Sequence, residues 1–157
     1  MKIYHGSTID IAKVDLALSK PNKDFGRAFY LSDDRQQALE MAQFRAEFEE
    51  TEPVVNVYEF DETLFQEFRY KRFEAYTEEW AHFVYDHRTE PHGRTLHDYD
   101  IVYGPIANDR IGAQIARYKQ GYITFDEFLR RIQYIKGITF QYAFCTQRAI
   151  DKLQKIK

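Results

Sequence analysis

The stretch Asp24-Phe25-Gly26-Arg27-Ala28-Phe29-Tyr30-Leu31-Ser32 changes character twice. It leaves a loop, crosses an apolar run and stops at a helix cap. Upstream, Ser19 to Gly26 gathers the Pro, Asn, Asp and Gly that favour turns. Arg27 to Leu31 reads as a strand. Ser32, Asp33 and Asp34 then offer side-chain oxygens to the free N–H groups of a helix start, with Gln37 as a capping-box partner for Asp34. The helix behind them is expected to turn Ala38, Met41, Ala42 and Phe48 to one face.

Working outward, Lys2 to His5 is a short β-prone segment that ends at Gly6-Ser7. Pro53 opens a second strand, Val54–Phe60. Phe73, Tyr76, Trp80, Phe83, Val84 and His87 recur at helical spacing. A polar loop follows, then a strand Ile101–Ala107 with a break at Gly104-Pro105. Asn108 and Asp109 are expected to cap the next helix. Thr124 and Glu127 form a capping box ahead of the apolar stripe Phe125, Phe128, Leu129, Ile132 and Ile135. Ile138–Cys145 reads as a last strand, and Thr146 caps a terminal helix that buries Ala149, Ile150 and Leu153. Pairs of helical segments interrupt the strands, which is an α+β pattern and not a doubly wound parallel sheet.

At 157 residues without repeat or linker, one domain over 1–157 is expected. The 22 basic and 25 acidic residues give a net charge of −3, which offers no strong attraction to nucleic acid or to an anionic membrane. A single cysteine, Cys145, excludes an intrachain disulfide and is expected to be an inert buried thiol. No apolar run reaches membrane-spanning length, and the first residues do not read as a signal peptide. The expected location is the cytoplasm, with no membrane partner. The 12 Tyr and 13 Phe exceed what a small core consumes, so some are expected to line a groove or a partner surface.

Several familiar chemistries are absent. No Gly-rich phosphate loop is present. Asp24-Phe25-Gly26 matches a kinase tripeptide without the other kinase elements. His82, His87, His92 and His97 lack zinc-site spacing, and no metal is expected.

Three segments stand out together: Tyr4-His5-Gly6-Ser7 at the end of the first strand, Asp24 to Ser32, and Gln141 to Thr146 on the last strand. They resemble the three signature regions of the ADP-ribosyltransferase superfamily, in its diphtheria-toxin-like and poly-ADP-ribose-polymerase-like branch. More closely, the chain resembles a bacterial family of unknown function. Its members combine Tyr-His-Gly-Ser, Asp-Phe-Gly-x-x-Phe-Tyr and the segment found here intact as Asp98–Arg110. The superfamily resemblance implies a split antiparallel β-sheet core with peripheral helices, NAD as substrate and a macromolecular acceptor. It also implies a bacterial toxin–antitoxin setting, with an antitoxin or other protein as partner.

Carried over by position, His5 would bond a ribose hydroxyl and orient the nicotinamide. The Gly6 backbone would meet the carboxamide, where a side chain would block approach, with Ser7 as a second polar contact. Tyr30 would stack on the nicotinamide ring, and Arg27 is the candidate for the pyrophosphate. The third position departs from the pattern, because Gln141 stands where active members carry a glutamate. An amide keeps the hydrogen bond and loses a charge worth about 4 kcal/mol at ~4 Å and an effective dielectric constant of about 20. That is up to roughly three powers of ten in rate. The catalytic set His5, Tyr30 and Gln141 therefore leaves two functional classes open beside the transferase. One is a non-catalytic NAD or ADP-ribose binding module, and the other a protein-interaction domain. Transfer of a 2′-phosphate from RNA to NAD is disfavoured by the weak positive charge.

Overall fold

In chain order the computed structural model runs β1 (Lys2–Ser7), β2 (Phe29–Leu31), α1 (Arg35–Glu49), β3 (Val54–Glu59), β4 (Tyr70–Arg72) and α2 (Glu78–Thr89). It continues with β5 (Ile101–Pro105), α3 (Ile111–Lys119), α4 (Phe125–Arg131), β6 (Phe140–Phe144), α5 (Gln147–Ile150) and β7 (Gln154–Lys155). Residues 1–134 and 137–156 are described. The fold is α+β with two sheets, one of three strands in the order β1-β3-β7 and one of four in the order β2-β6-β5-β4. Every pair is antiparallel except β4 with β5, which is parallel and departs from the all-antiparallel expectation.

The period-two alternation of strands explains the layers. Ile3 and Tyr58 from the smaller sheet meet Phe29, Leu31, Ile101, Tyr142 and Phe144 from the larger one in a first buried cluster. The intervening residues of the larger sheet, Val102 and Ala143, face the other way. They form a second cluster with Phe25, Trp80 and Val84 of α2, Ile111 of α3 and Phe128 of α4. Helix α1 packs on β1 and β3, across the smaller sheet.

Four caps form at expected starts or where a helix begins late. Asp34, Thr77, Thr124 and Thr146 each accept a hydrogen bond from an N–H of the first turn. Several sequence expectations need correction. The buried stripe of α1 is Ala38, Ala42 and Ala46, whereas Met41 and Phe48 are exposed. The helix lies too close to β1 for larger side chains. Phe73 and Tyr76 precede α2 rather than belonging to it, because β4 and a turn occupy that stretch. β5 continues through Gly104 to Pro105; a Cβ at Gly104 would stand 2.9 Å from Phe25 Cζ, so the glycine admits that ring. Neither Asn108 nor Asp109 is the N-cap residue of α3, which is Arg110, but Asn108 Oδ1 accepts from the Arg110 N–H at 3.0 Å just ahead of the helix. Asn108 also donates from Nδ2 to the carbonyls of Arg131 and Gln133 at 2.7 and 3.1 Å, tying the start of α3 to the end of α4. The terminal helix is one short turn, and Leu153 lies between it and β7. Ile135 lies outside the described residues.

Candidate functional site

Strand β1 delivers Tyr4-His5-Gly6-Ser7 to the line where the two sheets part. Tyr4 and Ser32 exchange both backbone hydrogen bonds at 2.8 Å, and that bridge is isolated. Residues of an antiparallel ladder alternate in the edge to which they turn N–H and C=O. Two residues on, Gly6 would therefore pair with Tyr30 in the next rung. That rung is not formed. The Tyr30 carbonyl instead accepts from His5 Nδ1 at 2.6 Å. The Gly6 N–H and C=O and the Tyr30 N–H are thereby left out of a β1–β2 ladder.

A carbonyl can only accept, so His5 Nδ1 carries the proton. Burial pulls the imidazole pKa down to about 4, outweighing the raising effect of the Tyr30 bond, so the ring is neutral at pH 7. Nε2 is then an unprotonated acceptor. The ring stacks on Phe29 at 4.2 Å between centroids, which fixes its plane.

Gly6 is buried against α1. A Cβ there would stand 2.1 Å from the Ala38 carbonyl oxygen and 2.8 Å from Ala42 N. The reason for glycine thus differs from the sequence expectation: the helix, not a ligand, fills the space a side chain would need. Ser7 is also buried, and its Oγ accepts from Ile9 N–H at 3.4 Å.

Tyr30 meets His5 through its main chain only. Phe29 turns its ring to His5, so the next residue turns its ring to the opposite face of β2, against the helix-side cluster. There the Tyr30 hydroxyl donates to the Gly26 carbonyl at 2.8 Å and accepts from Phe25 N–H at 2.9 Å. Burial raises its pKa well above the ordinary phenol value. The rings of His5 and Tyr30 consequently do not line one face, contrary to the stacking role expected for Tyr30 beside His5.

Gln141 sits on β6 opposite Gly104, on the same face as Ala143 and Tyr30. Its Nε2 donates to Asp24 Oδ2 at 3.2 Å. Asp24 is buried, and its other oxygen takes Arg88 Nε at 2.8 Å and Arg88 Nη2 at 2.6 Å. Asp24 and Arg88 are thus members of the polar cluster that the sequence did not disclose. A buried acid demands a cation partner, but that partner lies 64 positions away.

The loop carrying Asp24 is fixed on every side. Asn22 Nδ2 donates to the carbonyls of His87 and Glu90, both at 2.9 Å, and His97 Nε2 donates to the Phe25 carbonyl at 2.9 Å. Gly26 has φ +88, a conformation that favours glycine. Arg27 bonds the carbonyls of Ser19 and Ala17, so its guanidinium braces the neighbouring turn instead of standing free for a pyrophosphate. His87 is buried and His97 half-buried, and their hydrogen bonds assign the protons of both. His87 Nδ1 donates to the Phe83 carbonyl at 2.8 Å while Nε2 accepts from Leu96 N–H at 3.0 Å. His97 Nδ1 accepts from Tyr99 N–H at 3.0 Å. Burial lowers the pKa of each.

The Asp98–Arg110 segment is architectural. Asp100 accepts from Arg69 N–H, Thr146 Oγ1 and Arg148 Nη2 at 3.0, 2.7 and 2.9 Å. The Pro105 carbonyl accepts from Trp80 Nε1 at 3.1 Å. Burial pushes the Cys145 thiol up to about 12, which leaves it unreactive at neutral pH. Among the described residues no group of three or more His, Cys, Asp or Glu side chains could hold a metal ion, and no helix is long and apolar enough to cross a membrane. A cavity of about 730 Å³ opens beside Met1, Glu59, Asp61, Glu62 and Asp151. None of the sequence-predicted site residues lines it, and its carboxylates would repel an anionic dinucleotide.

A two-sheet α+β fold with a histidine seated in the split between the sheets is the class that this geometry defines. The model of a family described as a protein of unknown function, DUF3990, matches residues 1–155, and the chain belongs to that family. No curated protein and no solved structure matches it.

Proposed function

We propose that the chain binds NAD with its nicotinamide end at the split between β1 and β2, and transfers the ADP-ribose to a macromolecular acceptor. The observation that carries this reading is the missing Gly6–Tyr30 rung, with His5 holding the Tyr30 carbonyl. Gly6 is buried and Tyr30 half-buried, and backbone groups shielded from water outside a ladder need partners. A primary carboxamide offers one acceptor and two donors in a plane, which suits the Gly6 N–H and C=O and the Tyr30 N–H. The bare Nε2 of His5 suits a ribose hydroxyl donor. Tyr30 enters through its main chain and by pinning the Phe25-Gly26 turn.

In the transfer, the bond from ribose C1 to the nicotinamide nitrogen breaks and nicotinamide leaves with the electron pair. An acceptor oxygen or nitrogen bonds to C1 and gives up its proton. Positive charge grows on the ribose between these events, and stabilising it is where an enzyme gains rate. The amide at Gln141 favours a second reading, a module that binds NAD or ADP-ribose without efficient turnover. Incubation with labelled NAD and bacterial lysate separates the two. Labelled protein or nucleic acid, lost on His5→Ala, supports the transferase. Saturable NAD binding without label transfer supports the module, and neither binding nor transfer rejects both.

A further inference from the structure

Independently of the NAD reading, we infer that the outward face of α1 is a docking surface for one amphipathic helix of a partner protein, with basic residues beside its apolar side. α1 is amphipathic in reverse. Its buried stripe is Ala38, Ala42 and Ala46, because the close approach to Gly6 excludes anything larger. Its large apolar side chains, Met41, Phe44 and Phe48, stand 46, 72 and 87% exposed instead. Spacings of three and four residues put them on one side of the helix, so they form a continuous strip. Among the described residues, α1 is the only α-helix with large apolar side chains exposed. Single exposed apolar residues are ordinary, whereas a continuous strip marks a contact.

Size and charge choose the occupant. The strip offers roughly 400 Å² of apolar surface, about half of the ~800 Å² that each side of a standard interface buries. That suits a single helix laid along it in a transient complex, with its apolar anchors at helical spacing. Residues 36–52 hold five glutamates and one arginine. Glu40 and Glu47, both exposed, fall on one border of the strip, and Glu50 and Glu52 lie past its C-terminal end. Arg45, on the other border, is engaged by Glu49 at 3.5 Å. The carbonyls at the helix C-terminus add to the negative side. A second copy would set acid against acid, and an anionic membrane would be repelled. A helix with lysines or arginines beside its apolar face meets both features at once. The contact leaves the split between the sheets open, because α1 itself stands between this face and Gly6.

The test titrates a fluorescently labelled helical peptide, with leucines along one face and lysines beside them, against the whole chain. Two control peptides carry glutamate for lysine, or the same leucines spread around the helix. The lysine peptide is expected to bind saturably, tighter than either control by roughly ten-fold or more, and to weaken as salt rises. The joint variant Met41→Gln, Phe44→Ser and Phe48→Ser is expected to lose roughly ten-fold or more of that affinity with an unchanged melting curve. A second variant, Glu40→Lys with Glu47→Lys, is expected to prefer the glutamate peptide, which reads the charge separately from the apolar strip. The joint variant is expected to keep the NAD binding of the wild type, so docking and the NAD reading stand or fall apart. Equal binding of the two charged peptides, binding that survives the joint variant, or no binding at all overturns the docking surface. Self-association of the chain, or attachment to phosphatidylcholine vesicles, that disappears in the joint variant while the lysine peptide fails to bind also overturns it. The strip would then belong to a second copy or to lipid.

Discussion

Gly6 carries two demands at once. Its missing side chain admits α1, while its main chain borders the split between the sheets. Gly6→Ala would press a methyl group into the Ala38 carbonyl, and is expected to cost about 3 kcal/mol, the upper part of the range for overpacking. Urea unfolding without ligand measures this, and an unchanged midpoint would contradict the close approach. The Tyr30 hydroxyl makes a different contribution, closing the Phe25-Gly26 turn. Tyr30→Phe strands a backbone N–H and a C=O and is expected to cost roughly 2 kcal/mol. A loss below about 0.5 kcal/mol would mean that water replaces the hydroxyl. At this scale the sequence disclosed His5 and Tyr30 as neighbours but not their faces. Adjacent strand residues point oppositely, and only the stacking of His5 on Phe29 decides which residue of the pair faces inward. Nor did it disclose the Asp24–Gln141 contact, formed across 117 positions of chain.

Elements set by local chemistry were legible, and elements set by distant partners were not. Asp34, Thr124 and Thr146 signal their helices through side-chain oxygens beside free N–H groups, all within one turn. β4 and β7 escaped notice because three and two residues carry no periodicity; their neighbours β5 and β3 make them strands. Helix α1 misled for a physical reason. Large apolar residues usually mark the buried face, but here the glycine strand beneath leaves room only for alanine. Met41, Phe44 and Phe48 are consequently exposed, at 46, 72 and 87%. Their joint replacement by Gln, Ser and Ser is expected to change stability by less than about 1 kcal/mol. Ala42→Leu, one residue on the sheet side, is expected to cost about 3 kcal/mol. Reversal of that order in urea unfolding would contradict the placement of the helix.

Across the molecule, three neutral histidines join separate parts: His5 at the sheet split, and His87 and His97 beneath the Asp24 loop. Burial holds all three below the ordinary imidazole pKa. The unfolded chain binds these protons more readily, so their contribution to stability is complete above about pH 6.5 and is lost as pH falls through the lowered values. Each histidine can steepen the loss by at most about 1.4 kcal/mol per pH unit. Urea midpoints are expected to fall from pH 7 to pH 5, less steeply in His97→Gln, and a flat profile would contradict the buried neutral rings. The molecule's central feature is the unclosed rung, where two sheets that touch at Tyr4 and Ser32 part at Gly6 and Tyr30. Amide nuclear magnetic resonance of the labelled protein, titrated with nicotinamide, reads that feature directly. The Gly6 and Tyr30 N–H resonances are expected to move farthest and to saturate together. Saturable shifts confined to other residues, or no shifts at all, would contradict the placement of the nicotinamide end at this split.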